Sequence, residues 1–349
     1  MEDSDIFFNS NTLPKYKIEL HIHLDGAIRT STLWELAKEK KIDLHVDSEE
    51  EFCSSLMVDE PTSLKDFLKP FERILPIIVG DLKAIERIAY EFCEDAAKEN
   101  ILYAEPRYSP HLLSSCSVTA KDVVKAVNKG LARGSKVFGV HVRTILCCVR
   151  GKSDWSEEVL KLCTEFRKEG VVGIDITGDQ EANTETTELD IAIFQKAASL
   201  GIHRTAHAGE DGNASQVEMA VKQMLAERIG HGYRVFEDMK IYEECLQKNI
   251  HFETCPMSSI MTGSVPIEDG KHPIIRFAED GANFSISRDD PVLIQKSLED
   301  DYGLLKSFGL RDIHFTRANF NALQSAFLPD EEKKSLMKEL SSAYGLRPI

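Results

Sequence analysis

The sequence predicts one α/β domain over residues 1–349, a (β/α)8 barrel of the TIM type with extra helices inserted after the first strand and at the C-terminus. Three observations carry that reading. Strand-length apolar runs alternate eight times with helix-length amphipathic stretches, and such alternation demands a parallel sheet with right-handed crossovers. Eight units are the number that closes a barrel, whereas the open doubly wound alternative lacks its G-x-G-x-x-G after any strand. The ionisable residues also fall at strand C-termini, where a barrel of this kind does its chemistry. No Ser/Gly-rich or Pro-rich linker, internal repeat or low-complexity run divides the chain; residues 1–14 are expected to be a flexible tail.

Within 16–25 the first strand is predicted to end at His23, before a turn at Leu24, Asp25 and Gly26; Ile18, Leu20 and Ile22 alternate with Glu19, His21 and His23, so that both histidines share one face. A helix over 30–41 follows, with Thr32 and Glu35 at capping-box spacing and Leu33, Leu36 and Ala37 on its apolar face. The acidic cluster 47–51 reads as a solvated loop in a long insertion, which also carries Leu64, Phe67, Leu68 and Phe71 at helical spacing. A strong helix is predicted over 81–98, with Leu82, Ile85, Ile88, Ala89, Phe92 and Ala96 facing inward. Strands over 101–108, 140–148, 171–176, 202–208, 228–231, 250–254 and 282–287 then alternate with helices over 121–132, 156–168, 189–199, 213–226, 237–248 and 273–280 before the closing helices.

Composition narrows the partners. A formal net charge of −16 disfavours nucleic acid and anionic membrane surfaces, and favours a small neutral or cationic substrate. The N-terminal residues lack the basic start and apolar core of a signal peptide, and no apolar run is long enough to span a bilayer, so a soluble, cytoplasmic protein is expected. The eight cysteines show no C-x-x-C spacing and read as reduced thiols, none of them assigned to a metal. No oligomeric state follows from the sequence, which is compatible with a monomer.

The strand ends bring together His21 and His23, His207 and Glu210, His231, and Asp289 with Asp290. Each has a bland explanation alone, as a core histidine bonded to a carbonyl or an aspartate capping a helix. Together they do not, because burying so many ionisable groups without a metal or a reaction is costly. The fourth strand ends in Asp175, Ile176, Thr177 and Gly178 and offers no Lys to bridge two metals, so one metal is expected. Three imidazoles and a carboxylate suit Zn²⁺ with a position left for water, whose pKa such an ion lowers to about 7.

In order, and spread from residue 17 to 291, the stretches K-I-E-L-H-I-H-L-D-G, Y-S-P-H-L-L, H-A-G-E, R-I-G-H-G-Y, C-P-M-S-S and S-R-D-D-P resemble those of the adenosine deaminase family, in the metal-dependent amidohydrolase superfamily. The resemblance implies zinc-dependent conversion of adenosine and 2′-deoxyadenosine to inosine and 2′-deoxyinosine with release of ammonia, a step of purine salvage. It implies one Zn²⁺ per chain held by His21, His23, His207 and Asp289, the last also counted as catalytic. Glu210 would protonate purine N1, and His231 would orient and help activate the attacking water. Asp290 would face N7, Gly178 would face N3 through its backbone, and Asp25 would meet the ribose 5′-hydroxyl, with His23 also beside the substrate. Leu64, Phe67, Leu68 and Phe71 match an apolar lid over the purine. A helix simply packed on the core explains Phe67 less well than substrate contact does, and explains Phe71 equally well.

Three departures bear on fine specificity. Arg288 stands where a small residue is expected; alternation points it away from the face of Asp289, but turned inward it would favour a phosphorylated ligand. Met257 replaces an aromatic residue, and the loop 114–119 is shorter than in vertebrate members. Two competing readings follow: a deaminase of an adenine nucleotide or N6-methylated analogue, and a non-catalytic, metal-stabilised barrel. Asp25 and the lack of a basic cluster after the last strands oppose the first; Glu210 opposes the second, since a structural metal needs no neighbouring acid. The H-x-E of His251 and Glu253 matches half of the cytidine-deaminase signature, but no P-C-x-x-C follows, and the match is read as coincidence.

Overall fold

The computed structural model describes residues 16–178, 186–267 and 272–346; the expected tail over 1–14 lies outside them. Parallel strands run in chain order around a barrel: β1 (Lys17–His23), β2 (Ile101–Tyr108), β3 (His141–Val142), β4 (Thr144–Val149), β5 (Val171–Thr177), β6 (His203–Ala208), β7 (Arg228–His231), β8 (His251–Thr254) and β9 (Phe284–Ile286). β3 and β4 together make the third of eight staves. The ring closes just past β9, where the His23 amide donates to the Asp289 carbonyl at 2.9 Å and the Asp289 amide to the His21 carbonyl at 3.2 Å. This is the predicted (β/α)8 barrel, with inserted helices after β1 and helices at the C-terminal end.

Where the elements depart from expectation, tertiary contacts explain the difference. The strand expected over 140–148 is split at Arg143, whose amide bonds the Ala104 carbonyl; β3 pairs with β2, and β4 pairs mainly with β5. β1 is buried nearly throughout, and its register is irregular between Glu19 and Ile22, so its alternation does not separate core from solvent. The helix after β1 is Thr30–Lys40, and Thr32 sits inside it rather than capping it: its hydroxyl donates to Glu91 at 2.6 Å. The acidic cluster is no loop. Ser48 caps a helix Glu49–Leu56, and the three glutamates of its first turn lie at the positive end of the helix dipole.

The helix predicted over 121–132 runs Ala120–Phe138, half as long again, with Gly130 and Gly134 inside it as packing positions. A Cβ at Gly130 would lie 2.3 Å from the Glu86 carbonyl, so only glycine lets this helix lie against Leu82–Lys98. In that neighbouring helix the predicted face is buried except for Leu82, which is 37% exposed at the first turn. Among the described residues no helix is long and apolar enough to cross a membrane. The eight cysteines are free thiols, and all but Cys116 and Cys53 are buried.

Candidate active site

At the C-terminal end of the barrel, ring nitrogens and a carboxylate converge on one point. His21 and His23 come from the end of β1, His207 from β6, and Asp289 from the turn after β9; one donor atom from each lies within 4.8 Å of all the others. The Nε2 atoms of His23 and His207 are 3.2 Å apart, and Asp289 Oδ1 stands 3.3 Å from His21 Nε2 and 3.4 Å from His23 Nε2. His21 Nε2 is buried and makes no hydrogen bond. Such a cluster fits a divalent cation, since each residue brings one donor atom within reach of a shared centre. The opposite edges of the rings are held as a metal site requires: His21 Nδ1 lies 2.7 Å from Glu253, and His207 Nδ1 3.0 Å from Asp175. Asp289 Oδ2 accepts from the Ser258 hydroxyl at 2.7 Å.

Burial, opposed by Asp289, holds His23 down at about 3, and burial also lowers His207 despite Asp175, so both rings are neutral at physiological pH, as a metal ligand has to be. For His21, burial and Arg107 push down, but the carboxylates of Asp289 and Glu253 beside the ring win, and its pKa is raised. A positive charge is thus favoured at the centre. A second set, His21, His231, Cys255 and Asp289, also lies within reach of one cation but shares two members with the first. Burial and then Asp289 drive the Cys255 thiol well above its usual range, which makes it the poorer ligand set.

A cavity of about 240 Å³ opens on this cluster. Its floor is His23, His207, His231 and Asp289; Asp25, Gly178, Glu210 and Asp290 stand at its sides; and Leu64, Phe67, Leu68 and Phe71 cover it. Every candidate catalytic, metal or substrate residue named from the sequence, except His21, therefore lines one pocket. His231 Nε2 is 3.5 Å from Glu210 and 3.9 Å from Asp289. Burial raises Asp25 to about 6 and, with Asp289, Asp25 and Glu210 adding to it, drives Asp290 well above the carboxylate range. Asp290 Oδ1 is buried without a hydrogen bond, in space that exists only because residue 26 is glycine: a Cβ there would fall 1.7 Å from it. His231 and Asp289 both hold positive φ, 63° and 66°, the kind of local strain that clusters at functional sites.

Arg288 turns away from this cavity. Its guanidinium bonds Glu19 at 2.9 and 2.8 Å and Glu99 at 2.6 Å, as alternation predicts and not as the phosphate reading needs. Met257 is half-buried against the core and is absent from the cavity wall. The lid is two helices, Leu64–Phe67 and Phe71–Ile78, broken at Pro70. Sequence reasoning missed the residues behind the ligands, namely Glu253, Asp175, Arg107 and Ser258, and in the wall it missed Ser109 and Leu112 of the Y-S-P-H-L-L stretch. The available signal was a charge inside an otherwise apolar strand, which in a barrel buried on both faces must find a partner.

Residues 16–343 match the family model for adenosine deaminase. The chain belongs to the adenosine deaminase family. An adenosine deaminase of Danio rerio is 44% identical over 346 residues, covering 95% of this chain and 96% of the relative. Membership makes the protein an aminohydrolase of the metal-dependent amidohydrolase type. Among solved structures, an adenine deaminase from Arthrobacter aurescens superposes with a TM-score of 0.85 at 25% identity, covering 95% of this chain and all (100%) of that one. The N6-methyl-AMP deaminase of Arabidopsis thaliana gives 0.81 at 28%, covering 94% and 97%. These neighbours share the barrel while their names differ in what stands on the purine.

Proposed function

We propose that the protein is a zinc-dependent deaminase of adenosine and 2′-deoxyadenosine. The observation that carries the nucleoside reading is the cavity wall: among the described residues it has no Lys or Arg, and Asp25 stands on it. A 5′-phosphate would meet a carboxylate and no cation, whereas a 5′-hydroxyl can bond Asp25.

His21, His23, His207 and Asp289 are the proposed ligands. When bound, zinc supplies a Lewis acid that makes water nucleophilic near neutral pH. The remaining chemistry belongs to the chain. Gly178 offers its backbone to N3, and Asp290, kept protonated by burial and its acidic neighbours, donates to N7; together they fix the purine plane. As water adds to C6, the ring accepts negative charge at N1, and Glu210 delivers a proton there. His231, neutral because burial holds it well below its usual range, orients the water and takes its proton. That proton leaves on the amino group as the C6–N6 bond breaks and ammonia departs, while the C6 hydroxyl gives its remaining proton back to the Glu210 carboxylate as the carbonyl forms. Phe71 and Leu68 close over the base and exclude bulk water, which strengthens each of these bonds.

The test is incubation of the purified protein with adenosine, 2′-deoxyadenosine, adenine, AMP and N6-methyl-AMP in parallel, following ammonia or methylamine release with and without a chelator. Chelator-sensitive release from the two nucleosides is expected, with kcat/KM for AMP lower by two orders of magnitude or more. Preference for either nucleotide would refute the nucleoside reading and give the Arabidopsis relatives' substrate class to this chain.

A further inference from the structure

Below the converging donors, the barrel interior holds one cation between the two carboxylates that back the ligand histidines. Arg107 on β2 is fully buried. Its Nη1 donates to Asp175 at 2.8 Å, and its Nη2 donates to Glu253 at 2.6 Å and to the Leu20 carbonyl at 2.6 Å. The Glu253 oxygen it bonds is the one that faces His21 Nδ1, and the Asp175 oxygen it bonds is the one 3.0 Å from His207 Nδ1. Arg228 and the Thr205 hydroxyl hold the other Glu253 oxygen, at 2.6 and 2.9 Å, but neither bonds Asp175. Among the described residues, Arg107 is the side chain that bonds both carboxylates.

Each ligand imidazole can aim its Nε2 lone pair at the cation only if its Nδ1 edge is held by an acceptor in the ring plane, and the acceptor's own orientation sets that plane. Glu253 and Asp175 are like charges in a dry interior and would turn apart without a shared counter-ion. A planar guanidinium grips two carboxylates in fixed directions; an ammonium, as a point charge, does not. We propose, resting on the metal reading above, that Arg107 is a positioning residue that locks His21 and His207, ligands from β1 and β6, into one coordinated geometry. The two histidines are then a single mechanical unit: loosening Arg107 loosens both.

The test measures metal affinity on folded, purified protein by competition with a chromophoric chelator, and the ligand field from the visible spectrum of the Co²⁺-substituted form. Wild type, Arg107→Lys and Ile88→Ala are compared, the last a buried position on the outer helix Leu82–Lys98 that controls for destabilisation alone. Arg107→Lys is expected to lose affinity by ~10–100-fold with an altered Co²⁺ spectrum, while Ile88→Ala keeps both. Wild-type affinity and spectrum in Arg107→Lys would overturn the proposal. Should Arg107→Lys fail to fold, Glu253→Gln, Asp175→Asn and their double mutant decide: a double loss smaller than the product of the single losses supports a shared clamp, and a multiplicative loss overturns it. Failure of wild type itself to hold metal would sink the metal reading and this inference with it, an outcome distinct from the others.

Discussion

Glu210 carries the sharpest expectation at a single residue. It lines the cavity three positions beyond His207 and is no member of either candidate ligand set. Replacement by Gln keeps its size and removes the proton that N1 must take, so kcat should fall by roughly 10²–10⁴ with KM little changed and zinc content unaltered. Steady-state kinetics with elemental analysis check this; near-normal kcat or lost zinc would put the acid elsewhere. Arg288 yields a prediction of the opposite kind. Since it is buried against Glu19 and Glu99, Arg288→Ala strands a buried carboxylate and should cost about 3–5 kcal/mol of stability by denaturant unfolding, while the ratio of adenosine to AMP turnover stays put. The residues that converge at the barrel end were legible because they lie in short contiguous motifs at strand ends. Glu253, Asp175 and Arg107 were not, because what defines them is contact across the barrel, between residues 68 and 146 positions apart.

At the scale of elements, the lid separates packing from recognition. Phe67 is fully buried and packs in the main core, and Phe71, half-buried, opens the second lid helix; both border the cavity. Phe67→Ala should therefore lose about 3–5 kcal/mol of stability, whereas Phe71→Ala should raise KM several-fold with a smaller stability change; thermal unfolding and kinetics on both variants distinguish them. Spacing alone leans to substrate contact for Phe67 and leaves Phe71 even, because helical period places both on one face and does not show that Phe67 is fully buried in the core beneath. The predicted helix 121–132 falls short of Ala120–Phe138 for a related reason: what Gly130 and Gly134 do inside it shows only in the close approach of the neighbouring helix. β8 adds a pH dependence. Burial, with Arg228 adding to it, holds His251 down at about 4, and its ring is bonded to Asn283 and Ser285. A depressed folded pKa means that the unfolded chain binds the extra proton first. This contribution is therefore complete above about pH 6.5 and is lost as pH falls toward 4. Unfolding free energy measured from pH 7 to 4 should fall less steeply in His251→Gln than in wild type.

For the whole molecule, barrel closure at β1 and the turn after β9 joins the chain's first and last ligands: the backbone that seals the ring is the backbone of His21, His23 and Asp289. Fold and site are one construction, and this explains how a strand-helix count and a few strand-end residues read both from sequence. The acidic balance, −16 over the chain, fits a neutral nucleoside and opposes phosphorylated ligands at long range as Asp25 does at short range. The central claim, a hydrolytic deaminase working with one zinc, is tested most directly by titrating Zn²⁺ into metal-depleted protein while following the initial rate of ammonia release from adenosine. The account predicts no turnover without metal and a linear rise that reaches its plateau at one equivalent per chain. A plateau at two equivalents, or full turnover in metal-free protein, would contradict it.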